Sequence, residues 1–142
     1  MLDNRSTDLA KYRINTAKET LVVAEECLVN KHYKDAINRS YYAAFYAARA
    51  VLATEGTDFK RHKDVVAYFN KQYIATGKIP TELGRYLARL QQKREQSDYD
   101  DFFIASLSEA EKQVSNARAI IAGIEKYLSD IIVEKKETPH DL

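Results

Sequence analysis

Arg39, Tyr42, Tyr46 and Arg49 recur at steps of three, four and three residues, so on a helix they form one continuous strip. A strip of cations and phenol rings can stack a base and hold a phosphate; it can equally fill an interface with a second subunit. Arg94 and Asp98 stand four residues apart, in line with the apolar stripe Leu83, Leu87 and Leu90. That register points both toward the protein, where they either pair to fix the helix end or leave the arginine to hold an anion. Tyr99 follows directly, but a phenol with a pKa of about 10 is a poor general base near neutrality unless cations such as Arg94 lower it. His62 shares a helical side with Val66 and Phe69, a position more often filled by a hydrogen-bonded core or helix-start residue than by a base.

Other chemistries find no support in the residue pattern. His32 falls in a connection and His140 in the C-terminal tail, and no His, Cys and Asp grouping has metal-site spacing. No metal and no cofactor is expected. Cys27 is the single cysteine, so it has no partner for an internal disulfide and suits a reducing compartment, the cytoplasm. There is no glycine-rich phosphate loop and no nucleophile elbow.

The elements that must position these residues follow from apolar spacing. Ile14, Ala17, Leu21, Ala24 and Leu28 alternate steps of three and four and predict a helix over about 7–30. A second helix runs from about 33 to 55, with Ile37, Tyr41, Ala44, Phe45, Ala48 and Leu52 on its core face and Gly56 as its stop. A third spans about 59–76, with Val65, Val66, Phe69 and Tyr73 inward and Gly77 at its end. Pro80 starts a fourth, which gives out near Ser97 and Asp98. Ser106 or Ser108 caps the last, whose stripe runs Ala110, Val114, Ala117, Ile121, Ile124, Leu128 and Ile131. Short connections make consecutive helices antiparallel neighbours, so the expected fold is an all-α, up-and-down bundle of four to five helices.

Composition agrees with that class. Two prolines and four glycines in 142 residues leave few places to turn. The length fits one domain over 1–142, with a core from about 7 to 133 and a charged tail over 134–142. The N-terminus lacks the apolar stretch of a signal peptide, and no segment suits a membrane span. The 22 basic and 21 acidic residues nearly cancel to +1, so any RNA contact must be a local site rather than a global field. Ten tyrosines without a tryptophan suggest wet interfaces as well as core.

The run from Asn38 to Ala50, Asn-Arg-Ser-Tyr-Tyr-Ala-Ala-Phe-Tyr-Ala-Ala-Arg-Ala, resembles the central helix of the small stand-alone prokaryotic HEPN proteins. The resemblance continues through Lys60-Arg61-His62, through the segment from Tyr73 to Pro80, and into Arg94-Glu95-Gln96-Ser97-Asp98-Tyr99-Asp100. It implies a HEPN-like bundle, commonly a homodimer, often paired as toxin and antitoxin with a small nucleotidyltransferase. Toxic members are metal-independent ribonucleases that use an Arg-x(4 to 6)-His motif from both protomers, the arginine on the scissile phosphate and the histidine moving the proton. Arg94 matches that arginine; the position five residues later is Tyr99, and no histidine follows any arginine at five to seven residues. Where a variant of the motif carries a tyrosine that accepts nucleotidyl groups, this chain has Asp101. The resemblance therefore implies RNA or nucleotide binding in a dimer groove lined by Arg39, Tyr42, Tyr46, Arg49, His62 and Asp98, with Arg94 and Tyr99 as catalytic candidates. The alternative is a non-catalytic nucleotide-binding or protein-interaction module that partners a nucleotidyltransferase.

Overall fold

The computed structural model describes residues 4–137. Within them the chain forms α1 (Asn4–Val29), α2 (Tyr33–Ala53), α3 (His62–Phe69), α4 (Thr81–Tyr99) and α5 (Leu107–Glu137), with no strand among the described residues. A π-helical turn, Asn70–Ile74, extends α3. The all-α bundle anticipated from apolar periodicity is the observed fold.

Contacts between helices give their directions. Arg13 near the start of α1 donates to the backbone carbonyl of Arg49 near the end of α2 at 3.2 Å, so these two run antiparallel. Arg118 reaches Glu25 at 2.7 Å and Lys18 reaches Glu125 at 2.5 Å, which sets α1 antiparallel to α5. Lys93 pairs with Glu109 at 2.7 Å while Leu83 lies against Gly123, so α4 and α5 are antiparallel too. A Cβ at position 123 would collide with the Leu83 side chain; glycine there permits the close approach of α4 and α5. The four long helices thus alternate up and down, and α3 fills the passage from α2 to α4.

Helix α2 is the centre of this arrangement. It packs against α1, α3, α4 and α5, and between Ala36 and Thr54 every residue is buried except Asn38, Arg39, Tyr42, Tyr46 and Arg49. The core face expected from periodicity, Ile37, Tyr41, Ala44, Phe45, Ala48 and Leu52, is buried throughout. Burial goes further than one face, because alanines at 36, 43, 47, 50 and 53 are buried as well. Small side chains let neighbouring backbones come close on several sides of one helix. On α1, Ala10, Ala17 and Ala24 are buried at seven-residue intervals, keeping its inward seam equally thin.

Helix ends follow local chemistry. Gly56 and Gly77 adopt positive φ of 68° and 79°, the left-handed conformation that closes a helix. Ser106 rather than Ser108 caps α5, its hydroxyl accepting from the Glu109 N–H at 3.1 Å. α3 starts three residues later than the apolar pattern suggests. Asp58 is drawn onto Arg13 and Arg49, and its carboxylate also accepts from the Phe59 N–H at 2.9 Å; residues 58–61 are thereby held outside the helix. At the other end, α5 stays helical to Glu137, into the segment expected to be a tail. The rest of that tail, 138–142 with His140, lies outside the described residues.

The thin α1 seam makes a specific demand. Replacing Ala17 by leucine should overpack it and lower stability by about 1–3 kcal/mol, read as a shift of the urea midpoint at constant slope; an unchanged midpoint would show that α1 packs loosely.

Candidate functional site

Apart from Asn38, the part of α2 left partly open between Ala36 and Thr54 is the strip of arginines and tyrosines. Tyr42 lies at its middle. Its ring sits 6.2 Å from that of Tyr46, 5.1 Å edge-on from Tyr41, and 5.1 Å from the Arg39 guanidinium carbon. Two other elements come to this ring. Helix α4 brings Arg94, whose guanidinium carbon lies 4.6 Å from the Tyr41 ring centre and 5.8 Å from that of Tyr42. The start of α3 brings His62, whose ring is 5.8 Å from Tyr42 and 4.3 Å from Phe45.

Arg94 is held by rings as much as by a carboxylate. Its side chain is 15% exposed, its nearest carboxylate is Asp98 at 3.5 Å, and its Nε is buried without a hydrogen-bond partner. A contact of that length is a weak pair. The guanidinium also lies over two phenol rings, which attract a cation through their π faces and leave the Nε donor unused. Burial pushes the Tyr41 phenol above its ordinary pKa of 10.0, with the Arg94 charge opposing the rise; Tyr41 is a neutral platform rather than an acid or base. Periodicity marked Tyr41 only as core, although its spacing from Arg94 across two helices is what fixes the cation.

Tyr99 is not part of this cluster. Five residues beyond Arg94 on one helix, it is turned by about 140° from it, and its side chain is 79% exposed. His62 is placed differently from a core residue: it is the first residue of α3 and is exposed, yet one edge of its ring packs on Phe45 and Tyr42. Of the candidate residues, the structure therefore gathers Arg39, Tyr42, Tyr46, His62 and Arg94, with Asp98 at the margin. Tyr99 continues instead into an exposed apolar arm with Phe102 and Ile104, 91% and 89% exposed.

Arg49 ends the strip and belongs to a second grouping that sequence spacing alone does not reveal. Its Nη2 meets the Asp58 carboxylate at 2.8 Å, and Arg13 of α1 meets the same oxygen at 2.9 Å. These residues border a cleft of about 380 Å³ lined by Phe45, Arg49, Asp58, Phe59, Lys60 and His62. Burial alone would raise the Asp58 carboxyl, but hydrogen bonds from Arg49 and the Phe59 N–H and the two arginine charges outweigh it, and its pKa is lowered from 3.8. Cys27 lies elsewhere, half-buried, with its thiol pKa raised by burial and by Asp35; it is poorly suited to act as a nucleophile. No group of three or more His, Cys, Asp or Glu among the described residues can hold a metal ion, and no described helix is long and apolar enough to cross a membrane.

The lowered Asp58 pKa sets a pH signature. A carboxyl that binds its proton less readily when folded stabilises the fold above its ordinary value of 3.8 and loses that contribution as pH falls through the lower folded value. Wild type should therefore exceed Asp58→Asn in stability at neutral pH, and the gap should close only below pH 3.8. Parallel urea titrations of both proteins from pH 7 downward measure this; a gap that closes near pH 6 would place its origin in another group.

Comparison with known sequences adds relatives to this geometry. The sequence model of the HEPN domain matches residues 10–127. A UPF0332 protein of Thermotoga maritima is 31% identical over 128 residues, covering 90% of this chain and 97% of that protein. Two proteins of Methanocaldococcus jannaschii, each bearing the name "Putative toxin", are 32% identical over 84% of this chain and 88% of theirs, and 30% identical over 81% and 78%.

Proposed function

Since the chain belongs to the HEPN domain family, we propose that it is the toxin-type member of a toxin-antitoxin or defence pair. It acts on RNA in the cytoplasm as a homodimer joined along the α2 strip. The observation that carries this reading is Arg94, a cation fixed on the rings of Tyr41 and Tyr42, paired only at length with Asp98 and keeping an Nε donor without a partner. Such a group is built to meet an anion that arrives rather than one already present. The names of the Methanocaldococcus relatives support a toxin role. A strip that is half-open in one protomer is the kind of surface that a twofold partner converts into a groove.

The chemistry of this reading is metal-independent cleavage of a phosphodiester. Arg94 holds the scissile phosphate, and Tyr42 and Tyr46 stack the flanking bases. Proton transfer falls to His62 and not to Tyr99, because the imidazole borders the ring that carries Arg94 whereas Tyr99 faces away. His62 takes the proton of the 2′-hydroxyl as that oxygen bonds to phosphorus. The bond to the 5′-oxygen breaks, and this oxygen takes a proton from solvent, giving a 2′,3′-cyclic phosphate and a 5′-hydroxyl end. Charge growing on the non-bridging oxygens is met by Arg94.

A second reading, a non-catalytic module that partners a nucleotidyltransferase, is favoured by one observation. Tyr99, Phe102 and Ile104 form an exposed apolar arm between α4 and α5, and a surface of this kind suits a protein contact.

Incubating purified protein with a defined oligoribonucleotide in excess chelator separates the two. The ribonuclease reading expects cleavage that persists in chelator, falls by about 10²–10³ in Arg94→Ala and by about 10²–10⁴ in His62→Gln, and is unchanged in Tyr99→Phe. Loss of activity in Tyr99→Phe with His62→Gln fully active would reverse the proton-transfer assignment. RNA left intact by the folded wild type would discard cleavage in favour of the partner module. In that case Phe102→Ser with Ile104→Ser should abolish co-purification with a co-expressed nucleotidyltransferase.

A further inference from the structure

The cleft beside Arg49 adjoins the Arg94 face, sharing Phe45 and His62 with it, but has a different charge logic. Arg13 and Arg49 come from different helices and converge on a single oxygen of Asp58, at 2.9 and 2.8 Å. Lys60 lines the same cleft. Two cations therefore share one carboxylate and a third lines the cleft, leaving a local surplus of positive charge. The Nε of Arg49 is buried without a hydrogen-bond partner, so the fork of that guanidinium is only partly used by Asp58. Next to the charges, Phe45, Phe59 and the His62 ring form an apolar wall, and the whole cleft, at about 380 Å³, has the size of a small-ligand site.

We propose that this cleft binds a phosphate monoester, and that Asp58 occupies the anion position between Arg13 and Arg49 until a dianionic phosphate displaces it. The preference for a monoester follows from charge. A phosphodiester carries one negative charge and gains nothing over the carboxylate it would replace, whereas a monoester above its second pKa of about 6 carries two. It also offers three oxygens to the two guanidinium forks and Lys60, which suits bidentate recognition better than a carboxylate oxygen shared by both. The aromatic wall then receives the ribose or base attached to the phosphate. Asp58 acts as a built-in competitor: it offsets part of the charge of two neighbouring arginines in the empty protein and sets a threshold that weak anions do not cross. This site does not depend on whether the Arg94 face cleaves RNA.

The test is binding and stability at constant ionic strength, with inorganic phosphate and AMP as probes and chloride as control. Both probes should raise the melting temperature of the wild type in proportion to their saturation of the site. Asp58→Asn should start less stable, bind phosphate roughly tenfold more tightly, equivalent to about 1.4 kcal/mol, and recover its melting temperature as phosphate is added. Lys60→Ala should weaken binding in both backgrounds, Arg94→Ala should not, and affinity should fall as pH drops through about 6. A 5′-phosphorylated oligoribonucleotide that binds more tightly than AMP would make RNA ends the source, and equal affinity a free nucleotide; both support the site. The proposal is overturned if phosphate stabilises no more than chloride, if Lys60→Ala has no effect, or if Arg94→Ala abolishes binding. Should Asp58→Asn fail to fold, amide shifts in labelled wild type decide: AMP must move the signals of Phe59 to His62, and their silence rejects the site.

Discussion

Burying one helix on nearly every side is the constraint from which the rest of this structure follows. Helix α2 is enclosed by four other helices and keeps one open strip. An enclosed helix cannot carry long polar side chains into its contacts without losing their hydration, so its buried positions are alanines, a few larger apolar residues and Ser40. Every charged side chain between Ala36 and Thr54 is therefore confined to the strip. Concentration of Arg39, Tyr42, Tyr46 and Arg49 along one line is thus a packing result before it is a functional one. The neighbouring elements then finish against that line, α4 with Arg94, α3 with His62, and the preceding loop with Asp58.

The two arginines reached in this way are held by opposite means. Arg94 rests on phenol rings, with a long contact to Asp98 and its Nε donor unused. Arg49 is tied to a carboxylate shared with Arg13, which restrains it by neutralising it. The first arrangement leaves the cation only weakly paired, its nearest carboxylate 3.5 Å away. The second leaves Asp58 in the place an external anion would take. One aromatic surface, Tyr42 and Phe45 with the His62 ring, links these environments, so arginines restrained by opposite means stand a few side chains apart.

Other polar groups work for the fold. Glu55, just past the end of α2, accepts hydrogen bonds from Tyr68 and Tyr73, and burial together with that carboxylate pushes the Tyr73 phenol well above its ordinary range. The pair ties α3 and its π-helical extension back to the central helix. The Arg118 to Glu25 and Lys18 to Glu125 pairs are exposed, and pairs of that kind fix register more than they add stability.

Helix number, helix type and the order of elements were legible in the residues, because apolar side chains at three and four residue steps have few other ways to be buried. The strip on α2 was legible for the same reason: four residues on one helix share a face whatever surrounds it. Relations between elements were not. Tyr99 is near Arg94 in sequence but turned away from it on the helix, while Tyr41 and His62, distant along the chain, lie against the same ring system. Asp58 could not be read as the counter-ion of Arg13 and Arg49, since an aspartate in a connection carries no periodic signal and its partners lie on two different helices. The sequence by itself determined the helices and which residues each one leaves partly open. Only the tertiary structure decided which cation rests on rings and which on a carboxylate, because that depends on how helices converge, a property of packing between segments and not of spacing within one.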